Sequence, residues 1–196
     1  MELLEQRILT DGKLLPGGIL KVDNFLNHQM DPQLLQAMAK EFKRLFDGEG
    51  INRILTIEAS GIAIAILAGL EFQCPVVFAK KSKTKNISDN LYQAEVPSFT
   101  HGNVNTVVVS KDYLQPGDRV LLIDDFLATG AALVGLRELV CQAGGEVVGA
   151  GVAIEKVFQQ GGNKLRADGL RIESLAKIAA MDEGGIVFER GEASKT

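Results

Sequence analysis

The chain has 196 residues, 46% of them hydrophobic, and a formal net charge of −4. That length suits one domain with ample material for a core, and the acidic balance argues against a general nucleic-acid binder, which would carry a basic stripe. Cys74 and Cys141 make no disulfide framework, residues 1–5 are too acidic for a secretory leader, and the longest apolar run, Ile62 to Leu70, falls short of the roughly 18 residues of a membrane span. A cytoplasmic protein with reduced thiols is expected, with neither nucleic acid nor membrane as a partner.

Residues 2–10 place Leu3, Leu4, Ile8 and Leu9 at helical spacing, and Asp11-Gly12 ends that helix. Pro16-Gly17-Gly18 reads as loop, and 19–26 mixes strand-like residues with Asn and Asp. Asp31 is a predicted N-cap with Pro32 in the first helical position. The helix should run to about Phe46 on Leu34, Leu35, Met38, Phe42 and Leu45. A βα unit follows: a strand over 53–57, a loop at Glu58-Ala59-Ser60-Gly61, and a helix over 62–70. That helix is apolar almost all round, so it must be buried against the sheet, another helix or a partner subunit.

Pro75 to Ala79 begins the next strand. Residues 80–103 are the least periodic part of the chain and start with a cluster of Lys80, Lys81, Lys83 and Lys85. A solvated run is the usual explanation for such a cluster; the alternative is a role beside a strand end that faces a ligand. Residues 104–110 form a further strand and 114–118 a turn.

Val120-Leu121-Leu122-Ile123 shows no alternation, as suits a strand buried on both faces of a parallel sheet. It runs into Asp124 and Asp125. A loop with Thr129 and Gly130 follows, then Leu133, Leu136 and Val140 at helical spacing, and a stop at Ala143-Gly144-Gly145. A strand pattern resumes at Glu146, another covers 152–158, and 159–163 is a Gly-rich loop. Residues 170–179 and 185–189 read as edge strands, with a tail from about Gly191. The order of elements predicts an α/β fold with a mainly parallel sheet flanked by helices.

Chemistry concentrates where the 120–123 strand ends. Ligands of open α/β sheets sit beyond the carboxyl ends of strands, and a helix N-terminus suits phosphate. Thr129 adds a hydroxyl donor, and Gly130 lets backbone approach an anion. Asp124 and Asp125 repel phosphate, yet accept from sugar hydroxyls or hold a divalent cation. A ribose carrying a 5-phosphate answers both demands. The 58–61 loop repeats the same architecture and offers a second anion site.

The ordered pattern from Val120 to Ala132 resembles the phosphoribosyl pyrophosphate motif of type I phosphoribosyltransferases. Leu20 to His28, Glu58-Ala59-Ser60-Gly61 and Ile154-Glu155-Lys156 are similar to the bacterial purine branch of that family that uses xanthine. The resemblance implies the type I fold, as one unit over 1–190 with a small N-terminal/C-terminal hood (about 1–30), a mobile loop (about 80–103) and a tail at 191–196. It implies transfer of 5-phosphoribosyl from phosphoribosyl pyrophosphate to a purine base, with Mg²⁺ bound alongside, in a homodimer.

It assigns Asp124 and Asp125 to catalysis at the ribose, and Ala128, Thr129, Gly130, Ala131 and Ala132 to the 5-phosphate. Glu58, Ala59, Ser60 and Gly61, often with a cis non-proline peptide, fall to the pyrophosphate, with Lys81 as a candidate beside them; which lysine of the loop reaches the pyrophosphate stays open. Leu20 and Asn27 cover the base. Lys156 sits at a strand end and carries donors only, so it favours purine oxygens over adenine's amino group; a plain surface lysine is the alternative. Phe158 either packs against the purine or joins the core. His28 is either part of the base cover or a surface residue, and His101 is expected to be exposed.

Two positions depart from the family. Ala128 stands where several purine transferases carry Asp, which leaves the general base unassigned. Ala132 stands where many loops end in Thr, so more of the grip falls on main-chain N–H groups. The rival readings are a guanine, hypoxanthine or adenine transferase, and a phosphoribosyl pyrophosphate-sensing regulator, although no basic helix-turn-helix precedes the first βα unit. A P-loop hydrolase is excluded because its Gly-Lys-Ser/Thr signature is missing.

Overall fold

Apolar strands separated by helices bury both sheet faces by pairing in parallel with helices on either side. The computed structural model describes residues 1–82, 90–97, 104–182 and 184–189. In chain order the elements are α1 (Glu2–Asp11), β1 (Lys13–Leu15), β2 (Ile19–Lys21), α2 (Pro32–Leu45), β3 (Arg53–Ile57), α3 (Gly61–Phe72), β4 (Val76–Ser82), β5 (Leu91–Pro97) and β6 (Val104–Ser110). Then come β7 (Arg119–Leu127), α4 (Ala131–Ala143), β8 (Glu146–Lys156), α5 (Gly161–Ala167), β9 (Ile172–Asp182) and β10 (Gly185–Phe188).

Among the described residues, eight strands form one sheet in the order β10-β9-β8-β7-β3-β4-β6-β5, and β1 with β2 makes a separate antiparallel hairpin. Strands β9, β8, β7, β3 and β4 run parallel, while β10, β6 and β5 add antiparallel pairs at the two margins. The fold is therefore α/β with a mixed, mostly parallel sheet flanked by helices.

Alternation along β7 explains its unbroken apolar run. Leu121 and Ile123 enter the core under α1, α2 and α3 with Leu4, Phe25, Met38, Phe42 and Ile64. Val120 and Leu122 enter the opposite core under α4 with Leu133, Leu136 and Leu139. Each fully buried side chain of this kind contributes roughly 1.5–3 kcal/mol. At the start of α2, Asp31 Oδ1 accepts from the N–H groups of Gln33 and Leu34, with Pro32 in the first helical position.

Several boundaries differ from the sequence reading. Residues 146–148 and 152–158 are not two strands but one, β8, which ends at Lys156. Gly149 and Gly151 broke the apolar pattern because the rings of Phe46 and Phe42 lie on the strand there: a Cβ at either glycine would come within 2.6 and 2.8 Å of them. Residues 159–163 are not all loop, since α5 starts at Gly161. The 80–103 stretch contains the end of β4 and the whole of β5, and β9 is interior to the sheet rather than at its edge. After β2 the chain takes a π-helical turn, Asp23–Asn27. Lys83, Lys85, His101 and the tail lie outside the described residues.

Candidate functional site

Strand β3 leads to β4 on one side, and β7 leads to β8 and β9 on the other, so the strand order reverses between β3 and β7. That switch point is where open α/β sheets hold ligands. Both strands turn into helices there, through 58–60 into α3 and through 128–130 into α4. A helix leaves its first N–H groups without intrahelical partners. Asp31 fills that role on α2, but among the described residues neither the N-cap Ser60 of α3 nor the N-cap Gly130 of α4 makes a side-chain capping bond. Two uncapped N-termini thus open side by side, as a doubly anionic ligand requires.

The two loops are locked by close approach. The Glu58–Ala59 peptide is cis. A Cβ on Gly61 would lie 2.1 Å from Thr56 Oγ1 and 3.5 Å from the carbonyl oxygen of Ile123, so the first turn of α3 rests on β7 just before the aspartates. Thr56 Oγ1 is itself buried with no hydrogen-bond partner among the described residues. Gly130 has φ +86°, a left-handed conformation that side chains resist. Thr129 is exposed, Ala128, Ala131 and Ala132 are half-buried, and Gly130 is buried.

Asp124 and Asp125 lie within β7 rather than beyond it, and are 4% and 9% exposed. The Asp125 N–H donates to Asp124 Oδ1 at 3.0 Å. Burial, and then the neighbouring Asp125 charge, push the Asp124 carboxyl well above the usual carboxylate range; the Lys81 ammonium acts in the opposite direction. Lys81, exposed at the end of β4, also donates its N–H to Glu58 Oε1 at 2.5 Å. Glu58, Lys81 and Asp124 are therefore neighbours around one crevice.

Among the described residues no group of three His, Cys, Asp or Glu side chains gathers to bind a metal. Two all-oxygen carboxylates nevertheless match a Mg²⁺ ion that arrives with phosphates, since such ions use one or two carboxylates.

The second half of the site is at the end of β8. Lys156 is half-buried, and desolvation pushes its ammonium below the usual lysine range. Its Nζ donates to the carbonyl of Gly18 at 3.1 Å and lies 5.6 Å above the Phe126 ring. The β1–β2 hairpin is thereby brought onto the site, with Leu20 buried beneath it. Asn27 ends the π-helical turn with Oδ1 buried and unpartnered among the described residues; no hydrogen bond joins it to Lys156. His28 is exposed, and Phe158 sits 41% exposed on a 3₁₀ turn after β8, outside the core.

Sequence reasoning missed Gly18 and Phe126. Phe126 was recoverable from register: it pairs with Ile154, two residues before Lys156 on the same strand face. Gly18 gave no chemical signal, because it contributes only a carbonyl.

A family model, that of the phosphoribosyl transferase domain, matches residues 21–172, a span that holds both loops, both aspartates and Lys156. The chain belongs to this family. Among curated phosphoribosyltransferases, it is 54% identical over 189 residues to the xanthine phosphoribosyltransferase of Finegoldia magna, covering 96% of this chain and 100% of that one. It is 53% identical over 188 residues to that of Latilactobacillus sakei, covering 96% of each. Its fold is also that of the adenine phosphoribosyltransferase from Giardia lamblia complexed with 9-deazaadenine, with a TM-score of 0.75 at 22% identity over 90% of this chain and 98% of that one. The adenine phosphoribosyltransferase of Rhodothermus marinus gives 0.73 at 22% identity, over 91% and 100%.

Proposed function

We propose that this phosphoribosyltransferase moves 5-phosphoribosyl from phosphoribosyl pyrophosphate to xanthine, yielding xanthosine 5′-monophosphate and pyrophosphate, a purine-salvage reaction. The observation that carries this reading is identity above one half with xanthine phosphoribosyltransferases along nearly the whole chain. A donor-only Lys156 at the base end supports it further.

In the reaction the bond from the sugar's anomeric carbon to pyrophosphate breaks, a bond from that carbon to a purine nitrogen forms, and the nitrogen's proton is released. Asp124 and Asp125 accept hydrogen bonds from the ribose hydroxyls and favour the positive charge that builds on the sugar. Main-chain N–H groups of Ala128, Thr129, Gly130, Ala131 and Ala132 hold the 5-phosphate. Glu58, Ala59, Ser60 and Gly61 frame the pyrophosphate, with Lys81 beside them as a counter-charge. Asp124 and Asp125 would hold a Mg²⁺ ion arriving with the donor, which would supply neutralisation of charge on the leaving group. Residues 1–30 cover the base, with Leu20 and Asn27 above it and Lys156 donating to a purine oxygen.

The active form is a homodimer. Support comes from α3, on which Ile66 and Leu70 stay 55% and 68% exposed beside an open groove formed with Gln73, Cys74, Pro75 and Val76. Among the described residues no helix is long and apolar enough to cross a membrane, and both thiols are free, which supports work in the reducing cytoplasm. Mass-spectrometric detection of xanthosine 5′-monophosphate from xanthine and phosphoribosyl pyrophosphate tests the reading. The product should form only with Mg²⁺ present; no product under those conditions would refute it.

A further inference from the structure

Glu155 has no role in the chemistry above, yet it is 1% exposed and sits one residue before Lys156. Strand alternation sends its carboxylate to the face opposite Lys156, toward α5. Arg166 grips it there through two 2.7 Å bonds, one from each Nη, and Ser174 Oγ donates at 2.5 Å. Arg166 Nη2 also reaches the carbonyl of Ile172 at 3.3 Å. Burial pushes the Glu155 carboxyl up, but the bonds from Arg166 and Ser174 outweigh it and hold it below the usual range. A Cβ on Gly162 would lie 1.9 Å from Glu155 Oε1, so α5 can sit this close only with glycine there.

The N-terminal end of α5 also meets the phosphate loop, there backbone against backbone at Gly161. The Gly161 N–H donates to the carbonyl of Ala128 at 3.2 Å. A Cβ on Gly161 would lie 2.2 Å from that oxygen and 2.4 Å from the carbonyl carbon of Thr129; one on Gly130 would meet Leu165 Cδ1 at 2.8 Å. Any movement of α5 is therefore passed to the backbone of 128–130. A grip made of main-chain N–H groups loses strength quickly when displaced. A buried ion pair adds little net stability over apolar residues of similar volume, so its value here is geometric.

We propose that Arg166 is a positioning residue: by clamping Glu155 it fixes α5, and α5 holds the 128–130 backbone in register for the sugar's 5-phosphate. The inference rests on reading 128–132 as the 5-phosphate loop. Removing Arg166 alone would strand a buried carboxylate and threaten folding, so the test uses Glu155→Leu/Arg166→Met together with Arg166→Lys. Ribose 5-phosphate affinity is measured by calorimetry, and KM for donor and for xanthine by steady-state kinetics.

The double variant should keep its melting temperature within a few degrees and weaken ribose 5-phosphate binding and donor KM at least tenfold. Its KM for xanthine at saturating donor should stay within about twofold. Arg166→Lys keeps the charge without the fork, and should fall between the two. A folded double variant that binds ribose 5-phosphate like the parent would overturn the proposal, and so would an equal loss for both substrates. If the double variant does not fold, Arg166→Lys with the parent's donor KM would overturn it. A parent that makes the product yet binds no ribose 5-phosphate would refute the loop reading, and this inference with it.

Discussion

Lys156 Nζ and the carbonyl of Gly18, 138 positions apart in the chain, are 3.1 Å apart in space. One hydrogen bond therefore ties the end of β8 to the β1–β2 hairpin. An ammonium has three protons, so Lys156 can keep this bond and still donate to a purine oxygen. The residue proposed to read the base is also the residue that holds the cover over it.

Lys156→Met should loosen that cover. Amide hydrogen exchange across residues 13–21 should speed up by roughly 2- to 10-fold, corresponding to the ~0.5–1.5 kcal/mol of one hydrogen bond. Exchange in β7 should not change. Hairpin protection equal to that of the parent would show that the Gly18 contact contributes nothing to closure.

Asp124→Asn should separate stability from function. The Asp124 carboxyl is held above its unfolded value of 3.8, first by burial and then by Asp125. Ionising it therefore costs folding free energy, and parent stability falls as pH rises from about 3.8 through the folded value. An amide does not titrate, so the variant's advantage should be nil in acid and largest at neutral pH. Donor kcat/KM should drop at the same time by about 1.5–3 kcal/mol, the worth of a charge-assisted hydrogen bond. A lower melting temperature at neutral pH, or unchanged turnover, would count against this account.

How much of this was readable beforehand depended on what each residue's signal was. The β7–loop–α4 unit was legible because unalternating aliphatic residues, paired acids and a glycine each have one dominant physical reading. Asp31 and Pro32 announced α2 for the same reason. β8 was broken in two because Gly149 and Gly151 serve Phe46 and Phe42 on another element, and packing of that kind leaves no local trace. α5 was hidden by Gly161 and Gly162, poor helix formers chosen for close approach to Ala128 and Glu155. Lys156 could be placed, but its partners Gly18 and Phe126 required tertiary structure.

Gly61→Ala should damage the 58–61 loop, since its Cβ would fall 2.1 Å from Thr56 Oγ1. Overpacking of this sort costs roughly 1–3 kcal/mol. Thr56→Ala removes the obstructing atom, so the Gly61→Ala/Thr56→Ala pair should recover most of the lost melting temperature and donor KM. A double variant no better than Gly61→Ala alone would show that the clash lies elsewhere.

Leu70→Glu should split the proposed homodimer, because Leu70 is 68% exposed on the apolar side of α3. Light scattering at micromolar protein should give twice the chain mass for the parent and a lower mass for the variant. A parent that stays monomeric across working concentrations would refute the dimer.

The central claim is that Lys156 selects an oxypurine in a xanthine phosphoribosyltransferase reaction. It is tested most directly by kcat/KM for pyrophosphate release with xanthine, guanine, hypoxanthine and adenine, in the parent and in Lys156→Ala. The parent should rank xanthine first and adenine last. The variant should lose at least about tenfold on xanthine, near 1.4 kcal/mol, while the affinity for phosphoribosyl pyrophosphate stays close to the parent's. A parent that prefers adenine, or a variant that uses xanthine as well as the parent does, would contradict it.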